Sequence, residues 1–422
     1  MVNVLCSPPM TYTPKAKPID MKYNFDERIE RRGTHCVKWD ESPENVIPMW
    51  VADMDFAVAP AIQEAIRQRA AHPVFAYTVV GDDYYDAIIS WFKRRHHWNI
   101  SREHILYTTG VVPGISCVIK ALTLPGEKVL MLSPDYNCFF SSIHNNGCEV
   151  SESILRLSRN TPNRFEVDWV DFETRCADEK TTVFLLCNPH NPTGRVWTRE
   201  ELQRMSDICR KHHVRIVSDE IHCELVMPGH TFCPMGTVDA DAIILNSSSK
   251  SFNTAGLQTA NIICQDAETR RRIDRAINIH EVCDLNPFGP VALIAAYNDS
   301  EDWIDELCQY IWGNYTALCD FVAEHLPQWK VMPMEGTYLA WVDVSRACCD
   351  QIATNSDSAA TNSDSVAAYC DQLLREAKVW LNPGTMYGAE SGKGYLRINL
   401  ACPRSLLTEA LQRIAHYSHS SH

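Results

Sequence analysis

From about Thr108 to Cys264 the chain alternates short apolar runs with longer amphipathic stretches. Residues 128–132 (KVLML), 183–187 (VFLLC), 215–218 (RIVS) and 242–245 (AIIL) are continuous apolar runs bounded by turn residues. Runs without a polar face suit strands covered on both sides, as in a mostly parallel sheet. The stretches between them carry helical periodicity. The one over 198–212 opens with Thr198-x-x-Glu201, a capping box whose two side chains satisfy the free amides of a first turn. Alternation of this kind predicts an α/β domain with helices on both faces of the sheet.

After about Phe288 the rhythm changes. Residues 301–326 form one helical pattern with Trp303, Ile304, Leu307, Ile311, Leu318, Phe321 and Val322 on a common stripe. Strand candidates at 331–332, 338–342 and 396–400 follow, then a closing helix over 404–415. These elements predict a second, smaller α+β domain. The expected division is an amino-terminal arm plus part of the small domain over 1–55, a large domain over 56–290 and a small domain over 291–422. The first 22 residues read as a flexible arm. Within the small domain a polar heptad beginning at Ala353 is repeated almost unchanged from Ala360 to Val366. It has too little large apolar surface to order itself, so 353–366 reads as a surface insertion.

Composition changes this picture little. A length of 422 residues fits two or three domains. A formal charge of −14 leaves no basic face for nucleic acid. No apolar run is long enough to cross a bilayer, and the proline-bearing first twenty residues do not read as a signal peptide. The cytoplasm is the expected location. Eighteen cysteines are spread from Cys6 to Cys402 without a CxxC pair, many inside apolar runs, which predicts reduced and mostly buried thiols. Asp219, His222, Cys223, His230 and Cys233 match no zinc spacing, so no metal is expected.

Three strand ends carry chemistry. After the run at 183–187 comes Asn188-Pro189-His190-Asn191-Pro192-Thr193-Gly194, where two prolines and a glycine present an asparagine. After the next run comes Ser218-Asp219-Glu220-Ile221-His222, and after the next Asn246-Ser247-Ser248-Ser249-Lys250-Ser251. Singly these read as a turn, a solvated or helix-capping acid and an exposed lysine loop. Together they place an asparagine, a carboxylate and a lysine at successive carboxyl ends, where open α/β sheets bind ligands. Thr109-Gly110-Val111-Val112-Pro113-Gly114 precedes a helical pattern over 115–122, and helix-start amides form an anion site.

This set resembles the class I/II aminotransferase superfamily, the fold-type I enzymes of pyridoxal 5′-phosphate (PLP), over about 23–416. The resemblance implies a Schiff base on Lys250, with Asp219 at the pyridine nitrogen and Asn191 at the phenolic oxygen. It assigns the phosphate to Gly110, Val111 and Val112 with help from Ser247, and Tyr136 to stacking on the ring. Tyr77 resembles the tyrosine lent to the phosphate across a homodimer, and Asn286-Pro287-Phe288-Gly289 also resembles a part that reaches the second subunit. Arg397 matches the arginine that takes the substrate carboxylate as a two-bond pair.

The amino-terminal segment resembles one branch. Arg31-Arg32-Gly33-Thr34, Val37-Lys38-Trp39-Asp40 and Met49-Trp50-Val51-Ala52-Asp53-Met54-Asp55-Phe56 look like the cystathionine β-lyase (MalY/PatB-type C–S lyase) branch, with Ala52 on the substrate side. His222 stands where typical aminotransferases place a tyrosine, and either bonds the phenolic oxygen or packs as a structural histidine. Gln258 stands where many use an arginine, and Asn137 where some relatives have a second tyrosine. The implied reaction removes the Cα proton with Lys250 and expels a thiolate from Cβ, giving a thiol, pyruvate and ammonia. An aminotransferase on the same scaffold is the alternative, and a regulatory binding protein of this fold is a third reading.

Overall fold

The computed structural model describes residues 21–354 and 365–420. The expected arm lies outside the described residues up to residue 20. Seven strands build the larger sheet: β1 (Ile105–Thr108), β2 (Lys128–Ser133), β3 (Glu149–Ile154), β4 (Thr181–Cys187), β5 (Arg215–Asp219), β6 (Ile243–Asn246) and β7 (Ala260–Ile263). Their spatial order is β1-β7-β6-β5-β4-β2-β3. Only β7 runs against its neighbours β1 and β6; the other paired strands are parallel. Adjacent side chains of these strands enter two separate cores. Leu130, Leu132, Phe184, Leu186, Ile216 and Ile244 pack into one, whereas Val129, Met131, Val183, Leu185, Val217 and Leu245 pack into the other. Burial on both faces is the physical reason the runs lack polar alternation.

The helix over Arg199–Lys211 begins with Thr198 as its cap, and the reciprocal bonds between Thr198 and Glu201 are both made. The helix Val111–Leu122 starts four residues earlier than the sequence pattern suggested. Pro113 sits in its first turn, where a missing amide proton is tolerated. A four-stranded antiparallel sheet lies in the carboxyl-terminal part, in the order Lys330–Val331, Leu339–Asp343, Tyr395–Asn399, Asn382–Pro383. The helix Glu301–His325 buries the whole predicted stripe. The closing helix, Arg404–Ser420, is longer than its apolar pattern required.

The expected surface insertion, 353–366, needs correction at both edges: at the near one, the helix Ser345–Thr354 takes in Ala353 and Thr354. Most of the duplicated heptads lie outside the described residues, but Ser365–Gln372 is a helix and Val366 is buried in it. The amino-terminal segment is also drawn in: Ile47–Pro48 pairs in parallel with Val379–Trp380, and the Trp50 and Trp380 rings stack with centroids 4.5 Å apart.

Candidate active site

The carboxyl ends of β4, β5 and β6 lie level, because Cys187 pairs with Asp219 and Asp219 with Leu245. Each predicted residue therefore emerges at the same edge. Asn191 is held by a braced turn. His190 N–H donates to Arg195 O and Gly194 N–H to His190 O, both at 2.8 Å. Gly194 has φ +71°, a conformation that favours glycine, and a Cβ there would also press to 3.3 Å from the Met334 backbone. The buried His190 ring spans Thr193 Oγ1 and Leu132 O. Burial pushes its pKa down to about 3, leaving a neutral strut.

Asp219 is 3% exposed, and its Oδ1 accepts the Ile221 amide at 3.0 Å. Burial pushes its carboxyl up to about 7, although Lys250 pulls in the opposite direction. Among the described residues no cation lies at ion-pair distance from it. Lys250 sits on the short helical turn Ser248–Ser251. Its amine is shifted downward, first by burial and then by Arg397, against the opposing pull of Asp53, Asp219 and Cys138. Lys250 Nζ donates to Ala52 O at 2.6 Å, and Tyr338 Oη donates to the same oxygen at 2.9 Å.

Arg397 comes from the smaller sheet and is 4% exposed. Its Nη1 donates to Asn191 Oδ1 at 3.2 Å and its Nη2 to Trp50 O at 2.9 Å. The guanidinium lies over the Tyr387 ring, 4.6 Å from the centroid. Asn382 ties this wall together by donating to Trp50 O and Tyr387 Oη, both at 2.9 Å. His222 packs edge-on against Tyr338 at 5.7 Å, and its buried Nδ1 has no hydrogen-bond partner. Burial, with Lys250 and Arg397 nearby, holds its pKa down at about 3. The adjacent Cys223 turns away from the cleft to Glu224.

Gly110 caps the helix Val111–Leu122 in an extended conformation. Gly114 N–H bonds back to Gly110 O at 3.0 Å, and Pro113 has no N–H, so the Val111 and Val112 amides are the free donors of that first turn. Ser247 Oγ donates to Thr259 O at 2.6 Å and accepts the Ser249 amide, so its hydroxyl is engaged. Tyr136 caps the helix Asn137–Asn145; burial pushes its phenol up, while Arg397 and Asp219 act on it from across the cleft. Tyr77 stands apart, 95% exposed. Tyr338, Tyr387 and Asn382 were not singled out in the sequence, where each is an ordinary residue of a short strand or turn.

A buried carboxylate, a lysine whose amine burial shifts downward and a buried arginine around one cleft define an enzyme site in a fold of the aminotransferase type. The model of the class I and II aminotransferase family matches residues 44–414, and the chain belongs to that family. Among its relatives, cystathionine β-lyase PatB of Bacillus subtilis is 37% identical over 400 residues, covering 93% of this chain and 98% of PatB. Protein MalY of Escherichia coli is 32% identical, covering 92% and 97%. The crystal structure of cystalysin from Treponema denticola, which contains a pyridoxal 5′-phosphate cofactor, superposes with a TM-score of 0.87. It is 31% identical and covers 95% of this chain and 100% of cystalysin.

Proposed function

We propose that this protein is a PLP-dependent carbon–sulfur β-lyase that splits L-cystathionine or another cysteine S-conjugate into a thiol, pyruvate and ammonia. The observation that carries the reading is the convergence of Asp219, Lys250 and Arg397 from three separate elements on one cleft, in a chain whose relatives are C–S lyases. The residues fit the cofactor on their own terms. Asp219 is a buried carboxylate lacking a cation, which a protonated ring nitrogen would supply. His222 has a buried nitrogen without a partner, and two helix-start amides stand free for a phosphate.

When bound, PLP supplies an electron sink for the charge that develops at the substrate Cα. Gly110, Val111 and Val112 would hold its phosphate, and Ser247 would join them by giving up its bond to Thr259. Asn191 and His222 would face the phenolic oxygen, and Tyr136 would cover the ring. Arg397 would take the substrate carboxylate, with the Ala52 segment closing that side. Lys250 would be the covalent anchor and afterwards the base that removes the Cα proton. Burial and Arg397 favour its neutral form, which a base requires. Removal of that proton needs the Cα–H bond held in one orientation, and departure of the thiolate needs the Cβ–S bond aligned in turn; the Arg397 wall would fix the substrate for both.

The active unit in this reading is a homodimer in the cytoplasm. Val74, Phe75, Tyr77 and Val79 are 57%, 57%, 95% and 90% exposed in the single chain, an apolar strip suited to a second copy. All seventeen described cysteines are free thiols, which suits a reducing compartment. The reaction is tested by supplying L-cystathionine or an S-alkyl cysteine without any keto acid. A lyase releases thiol, pyruvate and ammonia in equal amounts over many turnovers. Arrest after one equivalent, relieved only by a keto acid, would make the protein an aminotransferase instead.

A further inference from the structure

One group of buried charges has no place in the reaction just described. Lys38, on the helical turn Val37–Asp40, is 1% exposed. Its Nζ lies 2.6 Å from Asp55 Oδ2 and 3.4 Å from Asp53 Oδ1. Arg31 reaches the same two carboxylates, at 2.6 Å from Asp53 Oδ2 and 2.5 Å from Asp55 Oδ1. It also donates to Met54 O at 3.1 Å, and Trp39 Nε1 donates to Asp55 Oδ1 at 2.7 Å. Burial works against a charge on Lys38, but the two aspartates outweigh it and the net shift is upward. Ion pairs of this kind are poor devices for stability, since packed apolar side chains do as well or better. What they do supply is a fixed position for the backbone between them.

That backbone is the segment over Lys250. Asn399 Nδ2 holds Val51 O and Asp53 O, each at 2.6 Å. Asn253 brackets Met54 N–H, Met54 O and Phe56 O at 3.1, 3.1 and 2.9 Å. The Ala52 carbonyl, which accepts from Lys250 Nζ, lies inside this frame. We propose that Lys38 and Arg31 are positioning residues: they pin Asp53 and Asp55 so that the Ala52 carbonyl stays seated against the Lys250 amine. The proposal rests on Lys250 being the reactive amine. The charged and titratable groups acting on that amine are Arg397 from the smaller sheet, Asp219 at the end of β5 and His222 just after it, Cys138 from the helix Asn137–Asn145, and Asp53 itself.

Seating and simple charge make opposite claims about Lys38→Met and the same claim about Asp53→Asn. Lys38→Met removes a cation from the cluster and Asp53→Asn removes an anion. If only net charge mattered, the first would hold Lys250 more firmly protonated and the second less firmly. If seating matters, both release the carbonyl that favours the ammonium, and both lower its titration midpoint. The measurement uses the full-length protein freed of cofactor. Acylation of Lys250 by N-hydroxysuccinimidyl acetate is followed against pH by peptide mass spectrometry. Lys128, paired with Asp178 at 2.6 Å, serves as internal reference. Both variants are expected to acylate at Lys250 about tenfold faster than wild type near neutral pH, the scale of one hydrogen bond to a charged group. Shifts in opposite directions, or an unchanged midpoint in folded protein, would overturn the proposal. Should Lys38→Met not fold, Arg31→Met removes the other cation and is read by the same rule. Because no turnover is involved, failure of the lyase reading would leave this result standing, and the reverse also holds.

Discussion

Asp219→Asn should stabilise the cofactor-free protein at pH 8 while disabling the enzyme. The carboxyl of Asp219 is raised from an ordinary 3.8 to about 7 because it is buried with no cation beside it. A raised acid is at no disadvantage below its unfolded pKa, and its stabilising contribution is lost as pH rises toward the folded value. At pH 8 the shift of about three units corresponds to about 4 kcal/mol against folding, and at pH 5 to about 1.5 kcal/mol. An asparagine amide must itself be buried, which takes back about 1–3 kcal/mol at either pH. That part cancels in the comparison across pH, leaving a variant advantage that grows by about 2.5 kcal/mol from pH 5 to pH 8. Urea unfolding of both cofactor-free proteins at the two pH values reads this directly. Other titrating groups are common to the pair and drop out. Parallel pH dependence in wild type and variant would refute the assignment of a strained, uncompensated carboxylate at Asp219. With PLP bound, the order should reverse, because only the aspartate can hold a proton on the ring nitrogen.

Arg397→Ala should weaken binding of an amino-acid substrate by about 1.5–3 kcal/mol, the worth of a hydrogen bond to a charged group, and affect PLP binding far less. Equal amino-acid affinity in both proteins, measured by spectral titration, would remove Arg397 from the substrate site. Tyr77→Phe and Lys250→Ala chains, each nearly inactive, should regain activity when mixed under conditions of proven subunit exchange. No recovery would mean that Tyr77 does not serve the neighbouring subunit's site.

What was legible in the sequence was whatever acts next to its own strand. Asn191, Asp219 and Lys250 follow apolar runs within a few positions, and the level ends of β4, β5 and β6 carry that spacing into space. The Thr198–Glu201 box marked a helix start for the same local reason. The first turn at Val111 was hidden because Pro113 reads as a breaker in a pattern search, although the first turn accepts it. Val366 was misjudged because a polar repeat masks the single apolar residue that begins a helix. Tyr338, Asn382 and Asn399 were invisible for another reason: Asn399 acts on Val51 across 348 positions, and no periodicity encodes such a contact. The Lys38 cluster is divided among the segments 31–34, 37–40 and 49–56, and only the fold shows the cations of the first two gripping the carboxylates of the third, which meets Lys250.

The same geometry explains why the cofactor is easier to read than the reaction. The groups proposed to govern protonation, Asp219 and Lys250, stand at strand ends of the larger sheet that a family of many chemistries can share. The groups proposed to fix how a substrate lies against them come from elsewhere: Arg397 from the smaller sheet, Tyr338 from just before the strand Leu339–Asp343, Ala52 from the amino-terminal segment. They are joined to one another through Trp50 O, Ala52 O and Asn382. They meet the larger sheet through contacts such as Arg397 to Asn191 and Lys250 to Ala52. Elimination and amino transfer both begin with loss of the Cα proton and diverge over which bond changes next. A difference of about 1.4 kcal/mol between those barriers alters the product ratio tenfold. An energy of that size lies within reach of one hydrogen bond in the orienting wall. In the proposed reading the choice of product would rest on the Arg397, Ala52 and Tyr338 side of the cleft, and PLP binding on the strand ends.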